Sequence, residues 1–174
     1  MKPTALDHEA GTSARFAAVS LDEIRNFLAI DARDAPIGTA GQPSEEELAE
    51  VAADGYQAVL NIGLLNPEYC LPDEAGLAAS LGLQYRHLPV SFDAPAIADF
   101  EAFVAQMDAW AGQRVFVHCA ANFRVSSFIA VYGEMRLGWD RDRADRHART
   151  FWEPNRTWQA FIAECRARFV SGAR

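Results

Sequence analysis

Six consecutive residues, Cys119-Ala120-Ala121-Asn122-Phe123-Arg124, set a thiol and a guanidinium at the two ends of a short run of mostly small residues. The strand-like run Val115-Phe116-Val117 and His118 precede them, and the segment after Arg124 reads as a helix. A helix start concentrates unpaired backbone N–H groups and a positive partial charge. A thiol placed there ionises readily, and an anion is held there. The spacing predicts a nucleophile at Cys119, a cradle of N–H groups from Ala120, Ala121, Asn122, Phe123 and Arg124, and a fixed cation at Arg124. Asn122 falls where the chain must turn left-handed, a conformation that asparagine tolerates better than other non-glycine residues. A free cysteine is often inert core. Here the flanking His118 and Arg124 outweigh that reading.

The elements that must position this loop are legible in outline. Ser20-Leu21-Asp22-Glu23 has capping-box spacing and predicts a helix carrying Ile24, Phe27 and Leu28 on one face. Ile37 to Gln42 reads as an edge strand or loop. Ser44-Glu45-Glu46-Glu47 opens a helix running through about Ala53 and stopping at Gly55, and Ala58 to Ile62 reads as a buried strand. A helix from Pro72 to Leu81 ends at Gly82, and a strand covers Gln84 to Val90. Ile97, Phe100, Val104, Met107 and Trp110 recur at helical spacing. After the cysteine loop, Val125, Phe128, Ile129, Tyr132 and Met135 line a helix, followed by helices around 141–151 and 156–169. Helices alternating with short apolar strands indicate an α/β fold with a mainly parallel central sheet flanked by helices. The loops after Ile62, Val90 and His118 should then meet at the carboxyl edge of the sheet.

Composition bounds the rest. At 174 residues and half apolar, the chain suits a single domain over 19–174, preceded by a flexible tail at 1–18. A net charge of −8 argues against nucleic acid as a partner. No run is apolar and long enough to suggest a membrane partner, and the N-terminus lacks the apolar core of a secretory signal, so the expected compartment is the cytoplasm. Three irregularly spaced cysteines form no disulfide framework. The four histidines are scattered without ligand spacing, so no metal and no cofactor is expected.

The chain resembles the cysteine-dependent phosphatases of the tyrosine and dual-specificity type, whose signature is His-Cys, five residues, Arg, then Ser or Thr. It is more closely similar to a bacterial family of phosphatase-like proteins related to the N-terminal domain of beta-lactamase-hydrolase-like proteins. The resemblance runs from about Leu28 to Phe169. It is carried by Thr39-Ala40-Gly41-Gln42-Pro43, Val59-Leu60-Asn61, Leu71-Pro72-Asp73-Glu74, the cysteine loop and Trp152-Glu153-Pro154-Asn155. Two departures stand out: four residues separate Cys119 from Arg124, and Val125 follows the arginine, with Ser126 one place later.

The resemblance implies a three-layer fold and hydrolysis of phosphomonoesters, on a phosphorylated protein or a small phosphoester, through a phosphocysteine. Cys119 would attack, Arg124 would grip two phosphoryl oxygens, and Ser126, or failing it Ser127, would donate to the thiolate. Asp93, in Val90-Ser91-Phe92-Asp93-Ala94-Pro95, resembles the acid of dual-specificity phosphatases, with Asp99 as the fallback. His118 is expected to order the loop as a hydrogen-bonding imidazole, and Asn61 to brace it from behind. Cys70 is a candidate redox partner of Cys119, against the simpler reading of a loop cysteine, and Cys165 falls on a core stripe. The arginines of 141–149 read as a solvated helix face. The four-residue spacing also resembles that of rhodanese sulfurtransferases, which keeps a persulfide carrier open beside a non-catalytic phosphate-binding module.

Overall fold

The computed structural model describes residues 19–32 and 34–171; the expected tail at 1–18 lies outside them. The elements are β1 (Leu28–Ile30), β2 (Ile37–Ala40), α1 (Glu45–Ala53), β3 (Ala58–Asn61), α2 (Glu74–Ser80) and β4 (Gln84–His87). These are followed by α3 (Ile97–Ala109), β5 (Val115–His118), α4 (Phe123–Arg136), α5 (Arg141–Ala148) and α6 (Arg156–Cys165). The five strands run in the order β1-β2-β5-β3-β4. All neighbours are parallel except β1, which is antiparallel to β2.

Period-two alternation in the strands feeds two separate cores. Phe116 and Val59 face one side, where they pack with Leu48 and Val51 of α1 and Ala78 of α2. Val115, Val117, Ala58 and Leu60 face the other, against Phe100 and Phe103 of α3, Phe128 of α4 and Trp158 and Phe161 of α6. The result is a three-layer α/β arrangement. Phe103 and Phe100 each meet Phe128 edge-on, at centroid distances of 5.3 and 5.5 Å, a geometry that adds to what burial alone supplies.

Helix boundaries follow their caps. Ser44 and Glu47 form a reciprocal capping box on α1, and Gly55, Gly82 and Gly112 take positive φ just past α1, α2 and α3. Three expectations are corrected. The helix expected from Ser20 is a single 3-10 turn, Leu21–Glu23, because Asn26 adopts φ 55° and reverses the chain, so that Leu28 enters a strand. The segment from Ile37 lies inside the sheet between β1 and β5, and all four residues of β2 are buried. The last two helices are shorter than expected: α5 stops at Ala148, and α6 gives way after Cys165 to a π turn, Arg166–Val170. Among the described residues, no helix is long and apolar enough to cross a membrane.

Candidate active site

The strand β5 ends at His118, and the chain leaves it through Cys119, whose N–H donates to the Ala40 carbonyl at 3.3 Å. Asn122 is the residue before α4 and sits at φ 65°, ψ 11°, the left-handed turn that its type anticipates. Its amide is fully buried and donates to the Asn26 carbonyl at 2.8 Å and to Thr39 Oγ1 at 3.1 Å. Asn26 returns the contact, donating from Nδ2 to the Ala121 carbonyl at 2.9 Å. The Ala120 carbonyl accepts from the Gln42 N–H at 3.2 Å. Gly41 makes this approach possible: a Cβ there would stand 2.8 Å from the Ala120 oxygen.

The loop's carbonyls are thus committed to its outer rim. Carbonyl and N–H point in opposite directions across a trans peptide, so an outward Ala120 carbonyl aims the Ala121 N–H inward. The N–H groups of Ala120, Ala121, Phe123 and Arg124 have no acceptor among the described residues. Four unspent donors within five residues at a helix start form an anion cradle.

Cys119 and Arg124 flank that cradle, 2% and 5% exposed. Arg124 Nη1 donates to the Val90 carbonyl at 2.8 Å, and its Cζ lies 5.9 Å from the centre of the Phe92 ring. Its Nε and Nη2 have no partner among the described residues and are not sealed from solvent, which leaves one edge of the fork for a ligand. Ser126 is placed differently from expectation. Its hydroxyl donates to the Phe123 carbonyl at 3.0 Å, as Ser127 does at 3.1 Å, so both are spent on the first turn of α4. Among the described residues, no hydrogen bond reaches Cys119 Sγ.

Behind the loop lies a polar cluster. Gly63 packs directly on the cysteine, since a Cβ there would meet Cys119 Cα at 3.3 Å. Its N–H donates to Asn61 Oδ1 at 2.8 Å and its carbonyl contacts His87 Nε2 at 2.7 Å. The Asn61 side chain therefore braces the turn that packs on Cys119, while its backbone lies in register with His118 in the sheet. His118 is fully buried and meets Glu74 Oε1 through Nε2 at 2.5 Å, while Glu74 Oε2 accepts from Gln42 Nε2 at 2.8 Å. Burial raises the Glu74 carboxyl, but hydrogen bonding and charge from His118, aided by Gln42, outweigh it and hold the group below its ordinary value. Burial and the Glu74 charge push the Tyr85 hydroxyl up to about 12, and this hydroxyl accepts from Asn61 Nδ2 at 3.3 Å.

The roles of Glu74, Gln42 and Asn26 were not legible in the sequence. An acidic residue following Asp73 in a first turn looks like helix-start decoration, and only the fold turns it inward.

The loop carrying Asp93 is anchored on both sides of Ser91. Arg124 holds the Val90 carbonyl, and Trp158 Nε1 donates to the Phe92 carbonyl at 2.8 Å. The Phe92 ring packs on Trp152 and Trp158, and Trp152 stacks on Phe123 at 5.0 Å and 4°. Asp93 itself is exposed. The fallback Asp99 is occupied, since its Oδ2 accepts from the Ala96 N–H at 2.9 Å and caps α3. Cys70 is a free thiol engaged with its own loop, accepting from the Asn66 N–H at 3.2 Å. Cys165 is fully buried, and burial pushes its thiol up to about 12.

A mainly parallel sheet with helices on both faces and a Cys-to-Arg loop at its carboxyl edge is the architecture of protein-tyrosine-phosphatase-like hydrolases. No family model and no curated protein matches the chain. Among solved structures it is similar to a DUF442 protein from Shewanella putrefaciens CN-32 that is provisionally named a phosphatase. They share 29% identity and a TM-score of 0.75 over 86% of this chain and 96% of that one. Kinase associated phosphatase shares the fold at 13% identity and a TM-score of 0.71, over 87% and 98%. So does the core catalytic domain of the PP-IP phosphatase SIW14 from S. cerevisiae, at 16% and 0.65, over 80% and 85%. In fold, and in the placement of its Cys-to-Arg loop, the chain is similar to the cysteine-phosphatase-like hydrolases.

Proposed function

We propose that the protein hydrolyses phosphomonoesters of the protein-tyrosine or dual-specificity type through a phosphocysteine, acting on a phosphorylated protein or a small phosphoester. The observation that carries this reading is the pairing pattern of the loop. Its Ala120 and Ala121 carbonyls are consumed outside, four of its N–H groups are unspent among the described residues, and a thiol and a buried guanidinium stand at its ends.

The steps follow from that arrangement. The Cys119 thiolate attacks phosphorus, and the sulfur–phosphorus bond forms as the bond to the leaving oxygen breaks. Asp93 gives its proton to that oxygen. Water then attacks the phosphocysteine with Asp93 as base, releasing phosphate and the thiolate. Charge on the equatorial oxygens is met by the N–H groups and by the Nε–Nη2 edge of Arg124, donors already in place before substrate arrives. The test is phosphate release from a chromogenic aryl phosphate. Vanadate should block it and Cys119→Ser should abolish it; a Cys119→Ser protein with wild-type turnover overturns the reading.

A second reading has its own support. The four-residue spacing, with the Ser126 and Ser127 hydroxyls turned to the Phe123 carbonyl and not to Sγ, suits a sulfur that accepts sulfane sulfur and never leaves phosphorus. A sulfurtransferase would convert thiosulfate and cyanide to thiocyanate, with Asp93 dispensable. A binding module would do neither reaction, yet lose phosphate affinity on Arg124→Ala.

A further inference from the structure

We infer that Glu74 is a positioning residue for Cys119, its carboxylate closing a ring of contacts that fixes the residues on either side of the sulfur. The inference rests on the reading of Cys119 as a nucleophile. Glu74 Oε1 holds His118, the residue before the cysteine, and Oε2 holds the side chain of Gln42. The Gln42 backbone N–H in turn holds the carbonyl of Ala120, the residue after the cysteine. The ring runs Glu74, His118, Cys119, Ala120, Gln42 and back to Glu74.

Three features set this apart from ordinary packing. Glu74 is only 4% exposed although it lies in the first turn of a short helix, where a carboxylate would ordinarily stay in water. The helix does not need it as a cap, because Asp73 Oδ1 already accepts from the Gly76 N–H at 2.9 Å. A buried, hydrogen-bonded carboxylate is also a weak stabiliser, since apolar residues of similar volume often serve as well. His118 Nδ1 is buried without a partner among the described residues, so the Nε2 contact is the polar restraint on that ring. The carboxylate spans the two sides of the nucleophile. A displacement of the sulfur by about 1 Å is enough to cost a reaction about 100-fold.

The experiment measures steady-state kinetics on an aryl phosphate and the rate of Cys119 alkylation by iodoacetamide, localised by mass spectrometry. It compares wild type with Glu74→Ala, Glu74→Gln and Gln42→Ala. Glu74→Ala should lower kcat by about 10- to 100-fold with KM within about twofold, and change the alkylation rate. Glu74→Gln, which can still accept one of the two hydrogen bonds, should reverse part of both changes. Gln42→Ala cuts only the Ala120 arm and should show a smaller change in the same direction. It also keeps the test alive if Glu74→Ala does not fold. Wild-type kcat and wild-type alkylation in the folded variants overturn the inference. If wild-type protein is alkylated at Cys119 but releases no phosphate, the phosphatase reading fails alone, and the alkylation rates still decide the role of Glu74.

Discussion

Arg124 Nη1 and the Val90 carbonyl lie 2.8 Å apart, so the cation of the cysteine loop is also a tie to the loop that carries Asp93. One guanidinium sets the spacing between the proposed nucleophile and the proposed acid. Arg124→Lys should therefore lose more than a charge-conserving change suggests. An ammonium cannot hold Val90 and two phosphoryl oxygens in one plane. We expect kcat/KM on an aryl phosphate to fall by about 100-fold or more, with weaker phosphate binding by calorimetry.

Asn122 combines a left-handed backbone with a buried amide tied to Asn26 and Thr39. Asn122→Gly keeps the backbone and loses the amide; Asn122→Ala loses the amide and adds strain. Urea denaturation should show Ala as the more destabilising, with losses of about 1–3 kcal/mol.

Gly41→Ala places a Cβ 2.8 Å from the Ala120 oxygen and 3.1 Å from the Arg25 oxygen, both backbone atoms. The cysteine loop must shift to make room. Turnover should fall more steeply than melting temperature, and a variant with unchanged kcat would show that the outer rim does not shape the cradle.

Burial, with the Arg143 charge second, pushes His147 down to about 4. An unfolded chain takes up that proton near pH 6.5. Its contribution to stability is therefore complete above about 6.5 and is lost as pH falls toward 4, up to about 3 kcal/mol in all. Glu74, held below its ordinary value, acts in the same sense at still lower pH. His147→Leu should flatten the acid limb of the denaturation midpoint between pH 6.5 and 4. A limb unchanged by this substitution assigns the loss to other groups.

In native protein, iodoacetamide should modify Cys119 and spare Cys165, which is fully buried and holds its proton to about 12. Peptide mapping before and after denaturation separates the two.

Much of the fold was legible because its signals are local. The capping box at Ser44, the glycines at 55, 82 and 112 and the alternation in β3 and β5 each state their own geometry. The cysteine loop was legible for the same reason, down to the left-handed Asn122. What escaped depends on distant partners. Nothing near Ser20 announces that Asn26 will turn back to clasp Ala121, 95 residues away. Nothing near Glu74 announces His118, 44 residues on. Ser126 was misjudged because a hydroxyl on the fourth residue of a helix has a nearer acceptor, the carbonyl three residues back in its own first turn, than the thiol.

The clasp between Asn26 and Asn122 has a thermodynamic consequence. Many oxyanion loops rely on glycine, whose freedom must be surrendered when the guest arrives. This one is stitched along its rim by two amides and a neighbouring strand end before any guest is present. Little ordering entropy is then left to lose on association, and empty and occupied forms should superimpose closely.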